Sequence, residues 1–112
     1  MDNCIFCKII KGEIPSEVVY EDELMLAFKD INPVAPVHVL MIPKTHIASA
    51  MEITDENAPI VAHILNKAKV IAEKMGLSES GFRIVNNCGE NAGQTVMHLH
   101  FHLIGGKTLL WP

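Results

Sequence analysis

The segment Met97-His98-Leu99-His100-Phe101-His102-Leu103-Ile104 alternates polar and apolar residues more strictly than any other stretch of the chain. A period of two is the mark of a β-strand, and it places His98, His100 and His102 on one face with Leu99, Phe101 and Leu103 on the other. The apolar side belongs against a core, so the histidine side is turned towards a site, and the sequence predicts a strand over 97–104. Alternate side chains on a strand stand roughly 6.6 Å apart and the outer pair roughly 13 Å, so all three rings reach one ion only with help from a bulge. A neighbouring pair still can. A neutral imidazole is a competent nucleophile towards phosphorus and divides one hard displacement into two easier ones through a covalent intermediate. His100 suits that task best, because the histidines on either side can orient it, bond phosphate oxygens or protonate a leaving group. Spacing alone does not separate those roles.

The rest of the chain supplies partners for that strand. Residues 17–21 are β-rich, the acidic turn Glu21-Asp22-Glu23 follows, and 24–28 read as a second strand, together a hairpin. After Asn32-Pro33-Val34-Ala35-Pro36, the apolar run 37–42 has strand length and ends at Pro43. Over 60–75 the apolar residues recur at helical spacing, with Gly76 placed to stop the helix. Thr54 or Asn57 can cap its start, with Pro59 in the first turn. Residues 82–86 read as a fourth strand. Short strands with hairpin-length links around one long helix predict an α+β domain with a mainly antiparallel sheet. No linker or low-complexity stretch divides residues 1–112, and one domain is expected.

Several classes of function are excluded. No apolar run approaches the ~20 residues of a membrane span. With a net charge of −4 and scattered Lys and Arg, the chain lacks the basic stripe that a nucleic acid polymer requires, although one small phosphate is compatible with it. Met1-Asp2-Asn3-Cys4 has neither the basic nor the apolar region of a secretion signal, so a cytoplasmic location and reduced cysteines are expected.

Just upstream of the histidines, Asn87-Cys88-Gly89-Glu90-Asn91-Ala92-Gly93-Gln94-Thr95 gathers glycines with amide and hydroxyl donors, a composition able to cradle an anion. Taken together, Gly93-Gln94-Thr95 and His98-Leu99-His100-Phe101-His102-Leu103-Ile104 resemble the signature of the histidine triad (HIT) superfamily. There three histidines alternate with apolar residues behind a Gly-Gln-Ser/Thr. The resemblance covers nearly the whole chain. Ile14-Pro15, Tyr20-Glu21-Asp22-Glu23, Ala27-Phe28-Lys29-Asp30-Ile31, His38, Ile42-Pro43-Lys44-Thr45-His46-Ile47 and the ending from Gly105-Gly106 to Trp111-Pro112 are similar to the HINT branch, the nucleoside phosphoramidases. Thr95 departs from the serine form but keeps the hydroxyl.

The resemblance implies a HIT-like fold of five antiparallel strands, one long helix and a short N-terminal helix. It implies cleavage of nucleoside 5′-phosphoramidates, such as adenosine 5′-monophosphoramidate, through a nucleotidyl-histidine at His100. Asn87, Gly93, Gln94, Thr95 and His102 would hold phosphate oxygens or serve the leaving group, and His38 would support the reacting centre. On the residues alone Asp30 reads as a turn residue and Phe28 and Ile31 as core. The resemblance instead assigns Asp30 to the ribose hydroxyls and Phe6, Ile9, Phe28, Ile31 and Leu40 to the base, usually a purine. It further implies a homodimer with one continuous sheet, in which Trp111 approaches the neighbouring subunit's site.

Cys4-Ile5-Phe6-Cys7 is a C-x-x-C, a spacing that in a cytoplasmic protein points to metal or redox chemistry. Structural zinc needs two further ligands, for which His46 and His98 are available; the set resembles that of several bacterial histidine triad proteins, whereas animal HINT proteins lack the cysteines. If so, His98 fixes the histidine strand and is no proton donor; otherwise Cys4 and Cys7 are free thiols. Cys88 receives no role, and His63 reads as a structural or surface residue. Three other functions use the same residues. They are hydrolysis of dinucleoside polyphosphates, non-catalytic nucleotide binding as an adaptor, and a catalytic zinc held by His98 and His100.

Overall fold

A computed structural model describes residues 3–112; Met1 and Asp2, on which the expectation about a secretion signal partly rested, lie outside it. The elements run α1 (Ile5–Ile10), β1 (Val18–Glu21), β2 (Met25–Lys29), β3 (Val37–Pro43), α2 (Ala58–Lys74), β4 (Phe82–Val85) and β5 (Phe101–Gly105). The five strands form one sheet in the order β1-β2-β3-β5-β4, and every pairing is antiparallel. Among the described residues, no helix is long and apolar enough to cross a membrane.

Strand periodicity sorts the two faces. Met25 and Ala27 of β2, Val39 and Met41 of β3, and Phe101 and Leu103 of β5 pack beneath Ile64, Ala68, Ile71 and Ala72 of α2. The intervening residues Leu26, Phe28, Leu40 and Ile42 form a second, smaller cluster with Phe6 of α1 on the opposite face. At six residues, α1 covers only part of that face. The face carrying His38 and His102 therefore keeps an uncovered region, where the cavity described below lies.

Helix α2 begins and ends as its sequence requires. Asn57 occupies the cap position, but its side-chain oxygen accepts from Thr54 N at 2.7 Å while Thr54 Oγ1 accepts from Asn57 N at 3.2 Å. Both candidate caps are thus spent on each other, and Pro59 sits in the first turn where no N–H is needed. At the far end Gly76 has φ +80°, and Leu77 N returns to Ala72 O at 2.8 Å, a turn that favours glycine.

His63 proves to be structural. Its Nε2 donates to Asp22 Oδ2 at 2.6 Å, tying α2 to the turn between β1 and β2. The same carboxylate accepts from Tyr20 Oη at 2.8 Å and from the backbone N–H groups of Leu24 and Met25. Burial alone would raise the Asp22 pKa, but the hydrogen bonds from His63, Leu24, Tyr20 and Met25 outweigh it and hold the group well below the usual carboxylate range. A depressed folded-state pKa gives stability that is present above the unfolded-state value and lost as pH falls below it. Asp22→Asn, which keeps the shape and removes the charge, is expected to lower stability by about 2 kcal/mol at pH 7. Urea melts should show the difference from wild type shrinking as the pH is taken below about 4.

Close approach explains one glycine. Gly106 has φ +93° and lies where a Cβ would come within 2.9 Å of Pro36 Cβ. Gly106→Ala combines backbone strain with a clash, and a loss of about 2 kcal/mol in the same melts is the expected result.

Candidate functional site

A cavity of about 500 Å³ opens beside the uncovered half of the sheet. Phe6, Ile9, Phe28, Ile31 and Leu40, the residues assigned to a base, all line it. So do Asp30, His38, Thr95, His100 and His102, together with Ile14, Pro15, Ser16, Val34 and Val96, to which the sequence reading gave no site role. No periodic signal marks those last five, because they come from connecting segments whose place at the cavity is set by the fold.

Other expected site residues lie elsewhere. Asn87, Gly93, Gln94 and His98 are not among the cavity-lining residues. Gln94 is buried, its Oε1 accepts from Gly89 N at 2.9 Å, and its amide donates to Ala48 O and Val96 O. Asn87 Nδ2 donates to Ala92 O at 2.9 Å. Gly93, at φ +82°, closes the short 3-10 turn Glu90–Ala92. In this structure these groups brace the loop that carries Thr95 and Val96. Asn86, another residue without an assigned role, donates to His100 O at 2.9 Å and so holds the backbone of the central histidine.

The expected strand over 97–104 is shorter than the alternation suggested. Pairing begins only at Phe101, opposite Met41. Leu99 N instead donates to Ile47 O at 2.6 Å, which turns 96–100 away from the ladder. The alternation of side chains survives, with Leu99, Phe101 and Leu103 in the core, but the histidine face divides. His98 is wholly buried, whereas His100 and His102 meet the cavity.

Hydrogen-bond partners fix the proton positions on the rings. A carbonyl can only accept, so the 2.7 Å bond from His100 Nδ1 to His98 O puts the His100 proton on Nδ1. In the neutral ring the lone pair then resides on Nε2. Val34 N–H donates to His38 Nδ1 at 3.1 Å, which places the His38 proton on Nε2, 2.8 Å from His102 Nδ1 and 3.4 Å from Asp30 Oδ2. His102 Nδ1 must accept, leaving His102 with an N–H at Nε2. Burial lowers the His102 pKa to about 4, with His100 and His38 adding to the effect against Asp30, so this ring is neutral near pH 7. The Phe6 and His100 rings pack in a T-shaped arrangement, centroids 5.1 Å apart.

Among the described residues two groups of side chains have metal-ligand spacing, and their chemistry separates them. In the first, Cys4, Cys7, His46 and His98 bring their ligand atoms within 4.8 Å of one another. Cys4 Sγ lies 3.3 Å and Cys7 Sγ 3.6 Å from His98 Nδ1, and Cys7 Sγ lies 3.3 Å from His46 Nδ1. A tetrahedral zinc with bonds of about 2.3 Å to sulfur and 2.0–2.1 Å to nitrogen has ligand–ligand edges of roughly 3.3–3.8 Å, so these residues fit. His98 Nε2 donates to Pro43 O at 2.9 Å, which leaves Nδ1 unprotonated and turned to the sulfurs. Burial lowers the His98 pKa and raises that of Cys7. In the second group, Asp30, His38 and His102, the Nε2 of His38 carries the ring's one proton because Val34 N–H occupies Nδ1. A ligand there would need an imidazolate, so that group is a hydrogen-bond chain. A zinc shared by His98 and His100 does not match this arrangement, since the unprotonated His98 Nδ1 faces the cysteines while His100, whose Nδ1 donates to His98 O, lines the cavity.

Known proteins resemble this chain in sequence and fold over nearly its whole length. Residues 3–109 match the family model described as scavenger mRNA decapping enzyme C-term binding. The purine nucleoside phosphoramidase of Escherichia coli K12 is 42% identical over 108 residues, 96% of this chain and 91% of that protein. A 14 kDa zinc-binding protein of Zea mays is 51% identical, over 96% of this chain and 85% of its own. The solved structure of a HIT family hydrolase from Clostridium thermocellum superposes with a TM-score of 0.97 at 54% identity, covering 100% of this chain and 97% of that one. With this likeness over nearly its whole length, the chain belongs to the histidine triad superfamily.

Proposed function

We infer that the chain, acting as a single cytoplasmic domain per subunit, hydrolyses purine nucleoside 5′-phosphoramidates to the 5′-monophosphate and an amine. The observation that carries this reading is the proton arrangement at the cavity wall. His100 has its lone pair on Nε2 because Nδ1 is engaged by His98 O, and His102 offers an N–H two residues away. In the first step the Nε2–P bond forms as the P–N bond breaks, and the leaving nitrogen takes up a proton supplied by solvent. In the second, water attacks phosphorus and gives up a proton to solvent, the nucleoside monophosphate departs, and the electron pair of the Nε2–P bond returns to Nε2. His102 Nε2–H donates to a phosphoryl oxygen in both steps, or to the leaving nitrogen in the first. Phe6, Ile9, Phe28, Ile31 and Leu40 enclose the base, and Asp30 accepts from the ribose hydroxyls. The phosphoramidase name of the E. coli relative supports the choice of bond.

Zinc at Cys4, Cys7, His46 and His98 supplies structural cross-linking in this reading, and a homodimer covers Leu110 and Trp111, which are 84% and 92% exposed in the single chain. The test is direct: the wild-type protein with adenosine 5′-phosphoramidate should release AMP and ammonia catalytically. Cleavage of diadenosine polyphosphates without the phosphoramidate would transfer the assignment to the longer substrate, and binding of AMP with no turnover of either would make the chain a nucleotide-binding adaptor.

A further inference from the structure

The four-ligand cluster and the cavity are not separate features of the fold. His98 contributes to both, because its ring nitrogen faces Cys4 Sγ and Cys7 Sγ while its own carbonyl carries the His100 ring at 2.7 Å. Phe6, set between the two cysteines on α1, packs edge-on to His98 at 5.9 Å and to His100 at 5.1 Å. A second cavity of about 530 Å³ reaches Cys4 and His46, and Ile5, Thr95 and Val96 line both it and the His100 cavity. Finally, His98–His100 stand outside the sheet ladder, and Leu99 N is anchored on Ile47 O, next to His46. One residue that would hold a metal, His98, thus also carries the His100 ring, and Phe6 touches both rings.

We propose that this cluster and the nucleotide cavity are thermodynamically linked, so that a zinc-type cation on Cys4, Cys7, His46 and His98 presets His100 for the phosphate and bound nucleotide in turn tightens the metal. The proposal rests on the nucleotide reading above. Fixing the His98 ring fixes the carbonyl from which His100 hangs, and a phosphate engaging His100 restrains the same segment from the other side. The ordering of 95–100 is needed by both ligands and is met by whichever binds first, which makes the coupling favourable and reciprocal.

Equilibrium competition with a chromophoric chelator measures zinc affinity with and without saturating AMP, adenosine serving as the control without phosphate. AMP is expected to raise zinc affinity about fivefold or more, and zinc to raise AMP affinity by the same factor in calorimetry. Cobalt(II) loaded in place of zinc gives a readout that does not depend on the metal-free chain remaining folded: AMP should shift its visible ligand-field bands. If AMP binds the loaded protein but leaves both the affinity and the bands unchanged, the linkage is wrong and the nucleotide reading survives. If AMP does not bind at all, the nucleotide reading falls and the linkage with it; if the purified chain takes up no zinc or cobalt, the linkage falls alone.

Discussion

Replacing His100 by alanine is expected to reduce AMP release from adenosine 5′-phosphoramidate by roughly 10³-fold or more, with the fold and the AMP affinity largely kept. The size of the effect follows from where the lone pair is. His98 O holds the Nδ1 proton, so Nε2 is the atom free to form a bond to phosphorus, and among the described lining residues neither His38 nor His102 offers an equivalent unprotonated nitrogen. His102 is disqualified by its own partner: its Nδ1 accepts from His38, which leaves a proton on its Nε2. His102→Ala should therefore fall by a smaller factor, about 10- to 100-fold, since it loses a donor and not the nucleophile. A rapid acid quench of wild type with radiolabelled substrate should trap nucleotide on the protein, and His100→Ala should trap none. If the alanine variant retained even a tenth of the wild-type rate, water or another residue would have to be the attacking group, and the covalent mechanism would be lost.

Much of this site could be read before the structure, and the reason lies in side-chain periodicity. Alternation at 98–104 correctly put Leu99, Phe101 and Leu103 in the core, because burial acts on side chains whether or not the backbone is paired. It could not show that the ladder starts only at Phe101, since that depends on a bond from Leu99 N to Ile47 O, between segments far apart in sequence. The long helix and its glycine stop were legible for similar local reasons. Proton positions were not: the tautomer of His100 depends on His98 O and that of His102 on Val34 acting through His38. Gln94 shows the opposite case. Its motif suggested a phosphate ligand, yet its amide has three backbone partners within reach, and only packing decides which of those uses prevails. His63 looked detached because its partner, Asp22, is 41 residues away.

Removing one cysteine of the four-ligand cluster should produce the largest change in stability. The purified chain is expected to carry one zinc, and Cys7→Ser to lose it together with roughly 10 °C or more of melting temperature. The cluster joins three segments at one point: α1 and its N-cap through Cys7 and Cys4, the segment after β3 through His46, and the approach to β5 through His98. Because α1 has six residues, it is too short to be stable alone, and it depends on this junction and on Phe6 to stay docked. A serine hydroxyl in place of Cys7 keeps the volume nearly unchanged but is a far poorer ligand for zinc, so the loss is attributable to metal binding. Cys88→Ser, at a cysteine outside the cluster, provides the comparison and should leave metal content and melting temperature within experimental error of wild type. Equal melting temperatures for Cys7→Ser and wild type, both measured after metal reconstitution, would mean that Cys4 and Cys7 serve the fold as free thiols and that α1 is held by its apolar contacts alone.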